Sequence, residues 1–493
     1  MIPVRRILRV FTSLPRGSNT DIMKGAIMSR KGIRRRGVRR RRRGLPKSLK
    51  RVNLDAAGID IGSKSHYVAV PEDRDDEPVK EFRSFTNDLH RLADWLEECA
   101  IDTVAMESTG VYWIPLYEIL EERGFEVLLV NARDFKNVPG RKTDVLDCQW
   151  LQELHTYGLL RGSFRPDADI TTMRAYVRHR DTLVKDAARH VLHMQKAMSL
   201  MNIQLHNVIS DITGATGMRI IRSVISGNHN PQALAEFRDP RCRASKGTIV
   251  ESLTGNYRPE HVFALRQAVE LYDFYQRQIG SVDEQIERLL CELEDSSPIR
   301  ENLGPSKRKP PKGNEPDFDI RTRLYALTGT DLTEITAIGP YSALKIISEI
   351  GTDMTRWPNA DHFASWATLA PKNKITGGRL ISSRTRSSAN RFAEVLRMAA
   401  MTIGRTNTYL GAFYRRKAAH IGKAKAITAT ARKLAVIIYH MISRAVPFHD
   451  PGIQLHDEQH RNRVLKNLTR RAKSLGLQLV PATDQTNNPV GVT

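Results

Sequence analysis

The sequence lacks the features that mark membrane-spanning, secreted and zinc-binding proteins. No run of apolar residues approaches the roughly 18 that a membrane-spanning helix needs. The four cysteines are far apart and form no CxxC or Cys/His cluster, which argues against a disulfide framework and a zinc site. We therefore expect no membrane partner and a soluble, cytoplasmic protein of a reducing compartment.

Positive charge is what the chain has in excess, and most of it lies at the N-terminus. The formal net charge is +23, and residues 1–51 contain 18 Lys or Arg and one acid, Asp21. Like charges at this density repel one another, which predicts a disordered basic arm that binds phosphates through counterion release. The alternative is a translated upstream region, with true initiation at Met23 or Met28.

Composition shifts divide the rest of the chain into five further segments. We predict a catalytic domain over 52–168, a helical or coiled-coil region over 169–295, a Pro/Gly/Lys linker over 296–320, a mostly helical domain over 321–446 and a basic tail over 447–493. The fold class is therefore α/β at the N-terminus, followed by a mostly α remainder.

Strand and helix patterns alternate in the first of these domains. Three strand-like segments come first, followed by helix, strand, helix and strand, which predicts an α/β core with a mixed sheet. The strand-like segments are AGIDIG (57–62), HYVAVPE (66–72), EFRSFT (81–86), DTVAMEST (102–109) and EVLLVNA (126–132).

The central region has the periodicity of long helices. Apolar positions over 260–294 recur at heptad spacing, with a lapse at Asp283. This pattern predicts a helical hairpin or a coiled coil, with pairing between chains as one form of it. An ordinary helical subdomain explains the periodicity equally well.

Four acids stand out by their placement. Asp60 lies inside the first strand, Glu107 ends the strand VAMEST, and Asp144 and Asp147 lie three apart at the start of a helix, on one face. An acid in an apolar strand is costly unless it is paired or binds a metal ion, and hard divalent cations prefer oxygen ligands. Two such ions about 3.5–4 Å apart stabilise the attacking and leaving oxygens of a phosphodiester. Lys142 beside the helical pair suits a phosphate partner.

The C-terminal domain carries two patterns typical of nucleic-acid contacts. LTEITAIGPYSALKIISEIG (332–351) has the form helix, turn, helix, in which Gly339 lets the backbone approach a phosphate at a helix N-terminus. Farther on, Thr376 lies at a flexible Gly-Gly turn, and basic residues suited to bidentate phosphate contacts follow. These residues are Arg379, Arg384, Arg386 and Arg391. A hydroxyl among them can attack a phosphodiester and hold one DNA end, and the alternative is a basic loop that only binds.

Three separated motifs resemble the catalytic domain of the insertion-sequence 110 family of transposases. They are GIDIGSKSHYVAV, MESTGVYW and VNARDFKNVPGRKTDVLDCQWL, and together they cover roughly 53–165. The resemblance implies an RNase H-like fold similar to a Holliday-junction resolvase of the RuvC type. It also implies that Asp60, Glu107, Asp144 and Asp147 are the family's Asp-Glu-Asp-Asp set, holding two Mg²⁺ ions.

The resemblance continues over roughly 330–445, the family's C-terminal transposase domain. The family places a nucleophilic serine before a Gly-Gly-Lys or similar turn, and the matching residue here is Thr376, a departure. Either Thr376 is the nucleophile, or Ser382 or Ser383 has replaced it, or this copy is impaired. The resemblance further implies a structured noncoding RNA, which pairs with donor and target DNA, and a composite site between subunits of a dimer or tetramer.

The leading interpretation is a prokaryotic, nucleoid-associated transposase that breaks and rejoins DNA at element ends and targets through a covalent protein–DNA adduct. A metal-dependent nuclease or junction resolvase would use the same acids without such an adduct. An actin-like ATPase or sugar kinase would share the AGIDIGSK segment but needs a second phosphate loop, which the sequence lacks. A non-enzymatic nucleic-acid-binding protein leaves the four acids unexplained.

Overall fold

The chain divides into two compact units, residues 1–163 and 164–493. The computed structural model describes residues 50–108, 110–131, 144–295, 303, 313–387 and 389–480, without the side chains of 144–146. The expected basic arm lies outside the described residues, except for its last two positions, and so does most of the expected linker. No helix in the described part of the chain is both long and apolar enough to cross a membrane.

In the described residues, the N-terminal unit contains five strands and three helices. The strands are β1 (Ala56–Ile61), β2 (Ser65–Ala69), β3 (Val79–Arg83), β4 (Thr103–Glu107) and β5 (Glu126–Val130). The helices are α1 (Thr86–Glu98), α2 (Ile114–Glu122) and α3 (Asp144–Thr156). The predicted order of strands and helices is confirmed.

The five strands form one mixed sheet in the order β3-β2-β1-β4-β5. The β1–β2 and β2–β3 pairs are antiparallel, as is usual for strands joined by short connections. The β1–β4 and β4–β5 pairs are parallel, and helices make the crossovers. This is the sheet of an RNase H-like domain, as expected.

The two faces of the sheet are covered by different helices. Ile59, Val104 and Met106 point to the side packed by α1 and α2. Ala105 and Val130 point to the other side and pack against Leu151 of α3. Since side chains alternate along a strand, Gly58, Asp60 and Glu107 lie on the α3 side.

The C-terminal unit is mostly helical. Its first part contains α4 (Ala168–Leu200), α5 (Leu205–Val208), α6 (Ala215–Ile225), α7 (Pro231–Ala235), α8 (Lys246–Ser252) and α9 (Pro259–Asp295). Its second part contains α10 (Ile320–Thr328), α11 (Pro340–Ile350), α12 (Ala360–Trp366), β6 (Lys374–Thr376), β7 (Arg379–Ser382), α13 (Arg391–Ile403), α14 (Tyr409–Ile421), α15 (Lys423–Arg444) and α16 (Gly452–Ser474).

The helices α4 and α9 form an antiparallel hairpin within one chain. Met173 near the start of α4 shares a core with Ile286 near the end of α9. Met198 at the end of α4 packs in the same cluster as Leu265 at the start of α9, together with the short helices α5, α6, α7 and α8. The helical hairpin predicted for this region is therefore present.

One local prediction in the C-terminal domain is wrong. The segment before the Gly-Pro turn is a single 3-10 turn, Leu332–Glu334, rather than an α-helix. The Asp331 carboxylate accepts hydrogen bonds from the Thr333 amide at 2.9 Å and from its hydroxyl at 2.6 Å. Such a side-chain hydrogen bond competes with α-helix formation. The β-branched residues that follow have low helix propensity, so the α-helix does not form.

Candidate active site

Two of the predicted acids end neighbouring parallel strands. Ile59 of β1 is the register partner of Met106 of β4, so Asp60 and Glu107 are the next residues along the two strands. Both lie on the α3 side of the sheet, Asp60 half-buried and Glu107 only 1% exposed. The carboxyl ends of parallel strands are where open α/β sheets place their ligands.

A glycine lets α3 approach this edge very closely. A Cβ added to Gly58 would lie 2.3 Å from the backbone nitrogen of Gln152 and 2.4 Å from the carbonyl oxygen of Cys148. Only glycine fits a backbone contact of this kind. Because Asp60 is two residues after Gly58 on the same face, it lies beside the turn of α3 that contains Asp147 and Cys148.

The electrostatics of Cys148 agree with this arrangement. Burial raises the pKa of the Cys148 thiol to about 12, and the negative charges of Asp60 and Asp147 raise it too. Both carboxylates therefore act on the same buried thiol. One oxygen of Glu107, Oε2, and one of Asp147, Oδ1, are shielded from solvent.

The fourth predicted acid, Asp144, is the first residue of α3 and lies one turn before Asp147. Its side chain falls outside the described residues, as does Lys142. Among the side chains that the structure describes, no three His, Cys, Asp or Glu residues form a group able to hold a metal ion. The donors at this edge are all carboxylates, the ligands that a hard divalent cation prefers, so the residues present fit such an ion.

A tyrosine that the sequence pattern did not single out lies on the same face. Tyr67 of β2 is the antiparallel register partner of Asp60, and its other neighbour in the sheet is Glu81 of β3. Register partners share a face, so the phenol, the two strand carboxylates and Glu81 form one row across the sheet. The alternation of HYVAV next to the strand of Asp60 is the signal that would have found it.

The residue expected as nucleophile, Thr376, lies at the tip of a β-hairpin rather than in a flexible turn. It pairs with Arg379 across Gly377 and Gly378, whose φ values are +54° and +73°. Two central residues with positive φ define a type I′ turn, which glycine adopts without strain. The hairpin is exposed from Pro371 to Ile381. Three apolar side chains on it are more than half exposed, Ile375, Leu380 and Ile381.

The alternative hydroxyls lie at the other end of β7. The Ser382 hydroxyl accepts a hydrogen bond from the Arg384 amide at 3.4 Å, and Ser383 is exposed. Arg386 donates to the carbonyl of Ser365 at 2.7 Å. Both serines are therefore several residues from the tip, and Arg379 is the basic residue that pairs directly with Thr376.

The other two predicted nucleic-acid contacts lie at helix starts. Gly339 precedes α11, whose first residue is Pro340, and Ala337 just before it has a φ of +72°. Arg391 begins α13, where Asn390 caps the helix. Arg391 and Ala337 both line one groove of about 380 Å³ between α4, α11 and α13.

Ion pairs between basic and acidic side chains inside this groove reduce its positive charge. Arg178 makes a bidentate ion pair with Glu349, at 2.8 and 2.7 Å, and Lys345 contacts Asp181 at 2.6 Å. The groove is therefore not a uniformly basic surface.

Two protein-family models match the chain. The model of the DEDD transposase domain of IS110-type elements, described as a transposase, matches residues 57–203. The model described as Transposase IS116/IS110/IS902 family matches residues 329–415. No curated protein matches the sequence.

The two matches and the RNase H-like sheet define the class of the protein, a DNA transposase or recombinase whose catalytic domain is of the metal-dependent type. Within this class, the chain carries two domains that match IS110-type transposases, the DEDD domain over residues 57–203 and the IS116/IS110/IS902 domain over residues 329–415. The family resemblance drawn from the three sequence motifs is therefore confirmed, and DNA is a partner of the protein.

Proposed function

We propose that this transposase cleaves and rejoins DNA at the ends of an insertion sequence, with Asp60, Glu107, Asp144 and Asp147 holding two Mg²⁺ ions and with Thr376 as nucleophile. The observation that carries the metal site is the position of Asp60 and Glu107 at the ends of adjacent parallel strands, under the helix that begins with the two other acids.

In this proposal the ions supply positive charge that stabilises the charge developing on the phosphodiester. The chain's own part is to hold four carboxylates at one edge, which would repel one another without a cation. Burial of Glu107 and close packing of α3 on Gly58 restrict the movement of these groups.

The hydroxyl oxygen of Thr376 attacks phosphorus, and a new bond forms between Oγ1 and phosphorus. The bond from phosphorus to one sugar oxygen breaks, that oxygen leaves with the electron pair and takes a proton, and the hydroxyl proton passes to a base. Rejoining reverses these steps with a different sugar hydroxyl. An exposed hairpin tip with a neighbouring arginine, Arg379, supports this role, because the guanidinium pairs with phosphate.

Guidance by a structured noncoding RNA and a dimeric or tetrameric state complete the proposal. Both rest on the family resemblance. An exposed hairpin that carries Ile375, Leu380 and Ile381 supports association, since exposed apolar clusters mark contact surfaces. Arg384, Arg386, Arg391, Lys142 and Gly339 are the proposed backbone contacts.

The metal site is tested with Asp60→Asn and Glu107→Gln, which remove charge and keep shape. Cleavage of an element-end duplex in Mg²⁺ should fall at least about 100-fold for each, because each 1.4 kcal/mol lost from the barrier is tenfold in rate. Glu126→Gln is the matched control, since Glu126 begins β5 at the opposite end of the sheet. Wild-type cleavage by the Asp60 and Glu107 variants would rule out the site.

The nucleophile is tested by the covalent adduct. Thr376→Ser should keep a protein–DNA adduct that survives denaturation, and Thr376→Ala should lose it. An adduct in the alanine variant would assign the nucleophile to another hydroxyl, with Ser382→Ala and Ser383→Ala as the next variants. Cleavage without any adduct in the wild-type protein would favour the hydrolytic resolvase.

RNA guidance is tested by purifying the protein from its host and sequencing the RNA bound to it. A discrete transcript from beside the gene supports guidance, and a random sample of cellular RNA contradicts it. Light scattering of the same preparation gives the number of chains, and a monomer in the presence of DNA would contradict the proposed assembly.

A further inference from the structure

The last helix of the chain, α16, has two dissimilar halves. Its first half is held against α14, where Arg416 donates to Asp457 at 3.0 Å and the Tyr409 hydroxyl donates to Gln459 at 3.2 Å. His456 is buried at this contact. Every residue from Arg461 to Arg471 is exposed, so the second half extends away from the helices that hold the first.

The exposed half is basic on one face. Arg463, Lys466, Arg470 and Lys473 follow one another at intervals of three and four residues, which places them on one side of a helix. The opposite side carries Leu465, Leu468 and Ala472, together with one further cation, Arg461. The segment from Arg461 to Val480 contains no acid.

These cations have no carboxylate partners in the described part of the chain, whereas Arg416, on the helix that holds α16, pairs with Asp457. Like charges at such spacing destabilise a helix by about 0.2–0.5 kcal/mol per pair. The helix dipole offsets this only for the last turn, so it explains Lys473 but not Arg463, Lys466 and Arg470. A polyanion along this face would remove the repulsion.

We infer that the basic face of α16, formed by Arg463, Lys466, Arg470 and Lys473, binds the phosphate backbone of duplex DNA. The face is about 15 Å long, the rise of four to five base pairs. Proteins that bind single strands use aromatic side chains for base stacking, and residues 452–480 contain no Phe, Tyr or Trp. This favours a duplex and a contact that does not read sequence.

The inferred contact extends the proposed function and rests on it, because it supplies DNA affinity to a recombinase. It lies beyond both family matches, which end at residues 203 and 415. A contact to the backbone near the C-terminus would hold DNA during the reaction without setting the target sequence.

The test is the salt dependence of binding by the full chain to a short mixed-sequence DNA duplex. The variant carries Arg463→Gln, Lys466→Gln, Arg470→Gln and Lys473→Gln together. The slope of log affinity against log salt should become shallower by about 3 to 4, since each phosphate contact contributes about 0.9. The matched control removes four other exposed cations, by Lys196→Gln, Arg243→Gln, Arg277→Gln and Arg288→Gln. It should change the slope by less than about 1.

Equal slopes for variant and control would overturn the inference, because overall charge would then explain the binding. A loss seen with single-stranded DNA or duplex RNA, but not with duplex DNA, would also overturn it. Circular dichroism of the variant must show wild-type helix content. Failure of the proposed function is distinguishable, since it would appear as wild-type protein that binds the duplex and cleaves no strand.

Discussion

Arg180 of α4 and Asp283 of α9 form a bidentate ion pair inside the helical hairpin. The Arg180 Nε lies 2.5 Å from Oδ1 of Asp283, and Nη2 lies 3.0 Å from Oδ2. Arg180 is 1% exposed, and its guanidinium also lies 4.5 Å from the ring centre of Tyr341. The pair holds the two long helices in one register, because a shift of either helix would leave a buried charge unpaired.

Asp283→Ala should therefore destabilise the protein by about 3–5 kcal/mol, the usual cost of breaking a buried ion pair. The double variant Arg180→Met with Asp283→Leu should recover most of this loss, since it removes both charges. Urea unfolding followed by circular dichroism measures both. A loss below about 1 kcal/mol for Asp283→Ala would mean that the guanidinium finds water or another partner.

Gly58→Ala should destabilise the N-terminal unit by about 1–3 kcal/mol, because its methyl group would overlap the backbone of α3. It should also slow metal-dependent cleavage, since α3 carries Asp147. Gly280→Ala is the control, and we expect it to have the opposite effect on stability. That glycine lies inside α9 with open space around it, so alanine should stabilise the helix by about 0.5–1 kcal/mol. Equal melting temperatures for the two variants would contradict the close approach at Gly58.

His155 of α3 should make stability depend on pH. Burial lowers the pKa of His155 from 6.5 to about 4, and its Nε2 lies 2.9 Å from the hydroxyl of Thr103. At a pH between these two pKa values, His155 is protonated in the unfolded state and neutral in the folded state. The free energy of unfolding therefore decreases as pH falls from about 6.5 to about 4. His155→Gln should make this decline shallower in urea titrations, and His362→Gln, at an exposed site, should leave it unchanged.

Gly377 should tolerate asparagine but not valine. Its φ of +54° is accessible to asparagine, whereas a β-branched side chain there is strained by about 1–2 kcal/mol or more. Under the proposed function, Gly377→Val should lower the yield of protein–DNA adduct roughly 5- to 30-fold, and Gly377→Asn should keep it. Adduct yields that are the same for valine and asparagine would show that the turn type does not matter for the reaction.

Local patterns in the sequence were enough to predict the order of strands and helices in the N-terminal unit. The alternation of apolar residues also placed Asp60 and Glu107 correctly in β1 and β4. The alternation of apolar residues does not reveal the register between strands. The position of Tyr67 opposite Asp60 could therefore not be predicted from it. Register depends on pairing between segments, which one strand's composition does not encode.

The lapse in the heptad pattern at Asp283 shows the same limit. In the sequence it looks like an interruption of an apolar stripe, and its explanation, Arg180, lies 103 residues away. The β6–β7 hairpin could have been predicted from the sequence, because Gly-Gly between two short strand-like segments is a hairpin signal. The 3-10 turn at Leu332 depends on a side-chain hydrogen bond that periodicity does not reveal.

The boundary between the two compact units falls before α4, whereas the first family match continues to residue 203 and includes that helix. A fragment cut at the end of the match would keep α4 but lose α9, and would expose Met173, Val177 and Met198 to water. Catalytic domains of relatives are therefore best exchanged at residues 163–164. A cut there leaves α4 in the same unit as α9, which covers these apolar side chains.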